Sequence, residues 1–163
     1  MAAAGGEQDP TALRKKKIFE DIKEAFALFD RDGKGMIDVR EVGTIVRSLG
    51  ICPTEQELRE LLNECEEETP TGFIKFERFE RMMSRVLTDN QYPRDSEEKL
   101  LIAFRKLDVD NKGYLEAEKV RQMMTTHGER FSPEEVDDFL NFAVDAETGF
   151  FHYEDYVSQV APY

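Results

Sequence analysis

Asp30, Asp32, Asp38 and Glu41 place four carboxylates at the first, third, ninth and twelfth positions of one twelve-residue segment, DRDGKGMIDVRE. Calcium is a hard cation that takes oxygen ligands. A calcium loop draws them from positions 1, 3, 5, 7, 9 and 12 and needs glycine at position 6 for its sharp turn. The Met36 carbonyl falls at the seventh position and Gly35 at the sixth. The fifth position is Lys34. Its ammonium has no lone pair and brings positive charge close to where the ion would sit. Asp30, Asp32, Met36, Asp38 and Glu41 therefore form a candidate calcium loop impaired by Lys34. No tight binding is expected, calcium at this loop is the most the chain would take, and no cofactor is required.

Echoes of the loop recur. Gly35, Gly72, Gly113 and Gly149 each stand two residues before an apolar residue (Ile37, Ile74, Leu115 and Phe151), at intervals of 37, 41 and 36 residues. This spacing fits an EF-hand helix–loop–helix unit used four times, and the longer middle interval marks a junction between two pairs. A single such unit leaves strand edges and apolar helix faces uncovered, so the loops should pair in twos. Ile37 is expected beside Ile74 and Leu115 beside Phe151, in short antiparallel bridges. The other loops have lost ligands. From Glu66, loop 2 is one residue longer than the standard twelve and carries Arg78 in place of the last glutamate. Loop 3, Asp108 to Lys119, has Lys112 and Lys119 at its fifth and twelfth positions; loop 4 opens on Val144 and Ala146 where carboxylates belong.

The helices that must carry these loops have readable boundaries. Ile18, Ile22, Phe26 and Phe29 share one face at helical spacing from Lys17 onward. Thr54 with Glu57, and Ser132 with Glu135 after Pro133, form capping boxes that open two further helices. The organisation expected is a disordered leader over 1–16, an EF-hand pair over 17–87, a polar linker over 88–96 bent at Pro93, and a second pair over 97–163. The fold class is all-α, calmodulin-like, with two lobes.

Composition excludes several functions. A net charge of −13 argues against nucleic acid and anionic membrane, since the one basic run is Arg14-Lys15-Lys16-Lys17. That run reads either as a solvated start to the first helix or as a contact with an acidic surface. No apolar stretch reaches membrane-spanning length, and the first residues lack the apolar core of a signal peptide. Cys52 and Cys65 form no metal-binding motif and are expected as reduced thiols in the cytoplasm. His127 and His152 have no serine or cysteine partner in a recognisable motif, and no phosphate-binding glycine loop occurs, so neither an enzyme nor a small-molecule substrate is expected.

From about Lys17 the chain resembles the calmodulin and centrin superfamily. Val39 to Phe79, with its ICPTE junction and lengthened acidic EEETPTG loop, more narrowly resembles the dynein regulatory complex protein 8 family, also called EF-hand calcium-binding domain-containing protein 2. The resemblance implies a non-catalytic subunit of the nexin–dynein regulatory complex, in the cytoskeleton of the cilium or flagellum axoneme. It implies a part in linking doublet microtubules and in regulating dynein-driven sliding, with other subunits of that complex as partners.

Opened calmodulin-like lobes accept an amphipathic helix in a groove lined by flexible, polarisable methionines. Phe79, Met82 and Met83 in the first half, and Met123, Met124 and Phe139 in the second, are the candidate groove residues, with one methionine of each pair expected in the core. Acidic rims favour a basic or IQ-type partner helix. Two functional classes stand: a subunit that binds a helix largely independently of calcium, and a calcium sensor acting through loop 1 on a cytoskeletal target.

Overall fold

The computed structural model describes residues 9–161. Residues 1–8 of the expected leader lie outside the described residues. The chain divides into one unit over 1–93 and another over 94–163, each built as four helices around a two-stranded ribbon.

The first unit opens with α1 (Pro10–Ala27). This helix begins seven residues before the Lys17 expected from sequence, because Asp9 and Pro10 supply a start that apolar periodicity does not reveal. The Asp9 side chain accepts the Thr11 N–H at 3.0 Å, and proline at the first helical position costs no hydrogen bond. Then follow β1 (Met36–Asp38), a single 3₁₀ turn (Val39–Glu41), α2 (Val42–Ser48), α3 (Glu55–Cys65), β2 (Phe73–Lys75) and α4 (Phe76–Thr88). The Thr54 capping box forms as expected. β1 and β2 pair antiparallel with Ile37 opposite Ile74, so that both side chains enter the core from one face of the ribbon.

That core is closed. Ile22 and Phe26 of α1 meet Phe79, Met82, Met83 and Val86 of α4, all six buried. Phe26 packs edge-on to Phe76 at 5.1 Å and lies 5.5 Å from Phe79. Fully burying a side chain of this size contributes roughly 1.5–3 kcal/mol, so this wall of α4 is a major stabilising surface. The expected linker is partly absorbed here. Thr88 is the last residue of α4. Beyond it, Ile51 bridges Pro93, and the Cys52 N–H donates to the Tyr92 carbonyl at 2.8 Å.

The second unit runs α5 (Glu97–Leu107), β3 (Leu115–Glu116), α6 (Ala117–Thr126), α7 (Pro133–Ala143), β4 (Phe150–Phe151) and α8 (Tyr153–Val160). Ser96 caps α5, and the Ser132 capping box with Pro133 starts α7. Leu115 lies opposite Phe151. This core is smaller: Leu115, Val120, Val136, Leu140, Phe151 and Tyr153 are buried, while α5 buries no residue completely. Phe104 of α5 instead reaches half-buried into an aromatic cluster, 5.2 Å from Phe151 and 5.9 Å from Tyr153. Among the described residues no helix is long and apolar enough to cross a membrane.

Candidate functional site

Loop 1 has the turn of a calcium loop, with a cation at its fifth ligand position and another, Arg40, on its ninth-position carboxylate. Gly35 takes φ +71°, a conformation that side chains disfavour. The two oxygens of Asp30 accept the backbone N–H groups of Lys34 (3.0 Å) and Gly35 (2.7 Å), which folds the turn. The Lys34 ammonium lies 3.0 Å from the Asp32 carboxylate. Asp38, at the ninth position, is gripped by Arg40 through Nε at 3.0 Å and a terminal nitrogen at 2.6 Å, and also accepts the Arg40 N–H at 2.9 Å. These bonds hold the Asp38 carboxyl down to about 2. Glu41 ends the 3₁₀ turn that leads into α2. The loop, Phe29 and Phe73 surround a hollow of about 490 Å³. Among the described residues no three carboxylate, imidazole or thiol groups converge as metal ligands. Asp30, Asp32, Met36, Asp38 and Glu41 thus share one loop, but their side chains are not drawn together as a coordination shell, Asp32 and Asp38 being paired instead with Lys34 and Arg40.

Loop 3 repeats the pattern. Gly113 takes φ +81°, and Asp108 accepts the N–H groups of Lys112 (3.0 Å) and Gly113 (2.7 Å). Lys112 pairs with Asp110 at 3.2 Å, the same fifth-to-third contact as Lys34 with Asp32. Burial disfavours the Asp108 charge, but these two N–H groups and the Tyr153 hydroxyl, 3.0 Å away, outweigh it and hold the carboxyl below its ordinary range. Burial and the neighbouring carboxylate together push the Tyr153 phenol up.

The twelfth positions of loops 2 and 3 behave alike. The Arg78 guanidinium donates to the Glu66 carbonyl at 2.8 Å, and the Lys119 ammonium donates to the Leu107 carbonyl at 3.0 Å. Glu66 caps α3 and Leu107 ends α5. Each cation therefore binds a carbonyl left without a helical partner, at the negative end of a helix dipole. A calcium ion ties the entering helix to the exiting one through the last glutamate of its loop; here a side chain of the exiting helix makes that tie directly. In loop 4, Asp145 accepts the N–H and hydroxyl of Thr148 (2.7 and 2.9 Å) and the N–H of Glu147 (3.0 Å), closing the turn without an ion.

The groove residues divide by unit. Phe79, Met82 and Met83 are all fully buried. In this closed arrangement α4 packs against α1 and α3, so neither methionine of this pair faces a groove unless the unit opens. Met123, Met124 and Phe139 are half-buried at the edge of the second core, with Phe139 edge-on to Tyr156 at 5.6 Å and to Phe131 at 6.1 Å. Phe142, 66% exposed, extends this surface beside Tyr156. Sequence reasoning missed Arg40 and Tyr153. A cation two residues after a ligand aspartate could have flagged the first; the contact of Tyr153 with Asp108 spans 45 residues and left no local sign. Cys65 is buried, which raises its thiol to about 12, and Cys52 is exposed. His127 bonds the Thr126 hydroxyl at 2.7 Å, and His152 lies 3.5 Å from that of Thr148.

The family description "EF-hand domain pair" matches residues 19–84 and 97–160. A Mus musculus protein named dynein regulatory complex protein 8 is 43% identical over 144 residues, covering 88% of each chain. A Homo sapiens protein of the same name is 48% identical over 109 residues, which is 67% of this chain and 40% of the human one. Among solved structures, the regulatory domain of Physarum polycephalum myosin II matches with a TM-score of 0.69 at 25% identity, over 88% of this chain and 94% of that one. The myosin light chain Mlc1p, solved bound to IQ2 of the class V myosin Myo2p, matches with a TM-score of 0.68 at 24% identity over 86% and 97%, a likeness of fold.

Proposed function

The chain belongs to the dynein regulatory complex protein 8 family of EF-hand proteins, and from that membership we propose that it is a non-catalytic subunit of the dynein regulatory complex in the axoneme of cilia or flagella. There it binds an amphipathic helix of another subunit largely independently of calcium, and so contributes to linkage between doublets and to the control of dynein-driven sliding. It requires no metal or other cofactor. The observation that carries this reading is the placement of four cations: Lys34 and Lys112 lie on the third-position carboxylates of their loops, Asp32 and Asp110, and Arg78 and Lys119 stand at twelfth positions and bind the helix-end carbonyls of Glu66 and Leu107.

The second unit is the helix-receiving one. A ligand shifts a conformational equilibrium only by its differential affinity for the two states. Opening the first unit would expose Phe79, Met82 and Met83, each now fully covered, and would cost the free energy of their burial. The second unit already presents Met123, Met124, Phe139 and Phe142 in part to solvent, so a partner helix there gains apolar contact with little to disrupt. Acidic residues around it favour a basic partner helix of the IQ type.

The test is recovery of dynein regulatory complex subunits with the chain from axonemal extract, in excess chelator and in calcium. Equal recovery in both supports the reading. Recovery in calcium alone identifies a sensor working through loop 1 and overturns it.

A further inference from the structure

The first two turns of α1 hold no part of the core. Every residue from Pro10 to Lys17 is exposed; the helix first touches the core at Ile18 and first buries a residue at Ile22. Eight residues of helix, about 12 Å, therefore project past the unit they belong to. Within them stand Arg14, Lys15, Lys16 and Lys17, and no acidic residue occurs between Pro10 and Phe19.

Local energetics do not account for this run. The N-terminal end of a helix carries partial positive charge and favours acidic side chains, yet the first turn of α1 has none and the second is wholly cationic. Lys16 lies 3.8 Å from Glu20, both well exposed; Arg14, Lys15 and Lys17 have no ion pair among the described residues. In a chain of net charge −13, four of the 22 lysines and arginines sit side by side on a capped, protruding helix where they repel one another and the dipole.

The angular arrangement narrows the partner. Four consecutive helical residues fall about 100° apart, so the cations form a collar around the helix and not a stripe along one side. A lipid surface touches one side of a helix and needs an apolar face, and among the described residues Leu13 is the only large exposed apolar side chain before Phe19. Single-stranded nucleic acid is held by stacking on aromatic rings, and there is none from Pro10 to Ile18, while Phe19 faces Phe76. We propose that the projecting start of α1 is a docking collar for a flexible acidic polypeptide segment, one able to wrap around the helix and meet cations on every side. This surface belongs to the first unit, whereas the groove residues belong to the second.

The experiment uses the whole chain and a fluorescent 20-residue oligoglutamate peptide, followed by anisotropy at low salt. Two variants lose the same charge: Arg14→Gln/Lys15→Gln/Lys16→Gln/Lys17→Gln in the collar, and Arg59→Gln/Arg81→Gln/Lys106→Gln/Arg130→Gln elsewhere on the exposed surface. The wild type and the second variant are expected to bind alike, and the collar variant about tenfold or more weakly, with thermal unfolding of all three within a few degrees. Equal loss in both variants reduces the effect to net charge and overturns the proposal. Tighter binding of the wild type to phosphatidylserine vesicles or to oligothymidylate than to the peptide overturns it in favour of a membrane or a nucleic acid.

Discussion

The Tyr153 hydroxyl donates to the Asp108 carboxylate at 3.0 Å, joining the first residue of loop 3 to the first residue of α8. Both residues are at least 96% covered, so the bond lies out of water where a lost partner is costly. Tyr153→Phe is expected to lower the melting temperature of the second unit by several degrees at pH 7. Asp108 has a depressed folded-state pKa, so its contribution is fully present above the ordinary aspartate value of about 4 and is lost as pH falls through the lowered one. The melting difference between wild type and Tyr153→Phe should therefore shrink from pH 7 to pH 3. A difference constant across that range would count against the assignment.

Two methionine truncations separate core from groove. Met83→Ala removes a side chain with no exposure and should destabilise the first unit by about 2–5 kcal/mol in denaturant unfolding. Met124→Ala, at a half-buried edge, should cost less than half as much and instead reduce recovery of complex subunits from axonemal extract. Similar stability losses from the two would remove the distinction between the units.

Calcium binding is expected to be absent or weak in the wild type by calorimetry. Lys34→Asp with Arg40→Gln restores the fifth ligand and releases Asp38, and should create a site of about 10 μM or tighter. Adding Glu41→Gln should abolish it. Two or more wild-type sites of micromolar affinity would contradict the geometry of loops 1 and 3.

Arg78→Met keeps the apolar stem of the side chain and deletes its bond to the Glu66 carbonyl. A loss of about 1.5 kcal/mol is expected for the first unit, unchanged by calcium or chelator. A variant as stable as wild type would show that the guanidinium makes no net contribution.

Much of the architecture was legible because it rests on local chemistry. Glycine at the turn, an apolar residue two positions later, and the Thr54 and Ser132 capping boxes each act within a few residues, and they located the loops, the bridges and two helix starts. The beginning of α1 was missed since apolar periodicity starts only where the helix meets the core at Ile18, nine residues after its cap. The state of each groove was not legible either. Phe79, Met82 and Met83 look in sequence much like Met123, Met124 and Phe139; what differs is how fully α1 covers α4, compared with how little α5 buries. The loop contacts fell between these extremes: Lys34 announced itself by position, whereas the grip of Arg40 on Asp38 needed coordinates.

The bonds of Arg78 and Lys119 to the ends of α3 and α5 alter the kind of variable to which this fold can respond. A free ion is present at whatever concentration its surroundings supply, and its occupancy follows a dissociation constant. A charged group on the chain is present at a fixed effective concentration, set by the few bonds that tether it. It cannot be diluted away, chelated or exchanged for magnesium. Occupancy of these two positions is thus written into the polypeptide at synthesis, and the surroundings act on it through ionic strength, which screens the exposed ammonium of Lys119 more than the half-buried guanidinium of Arg78.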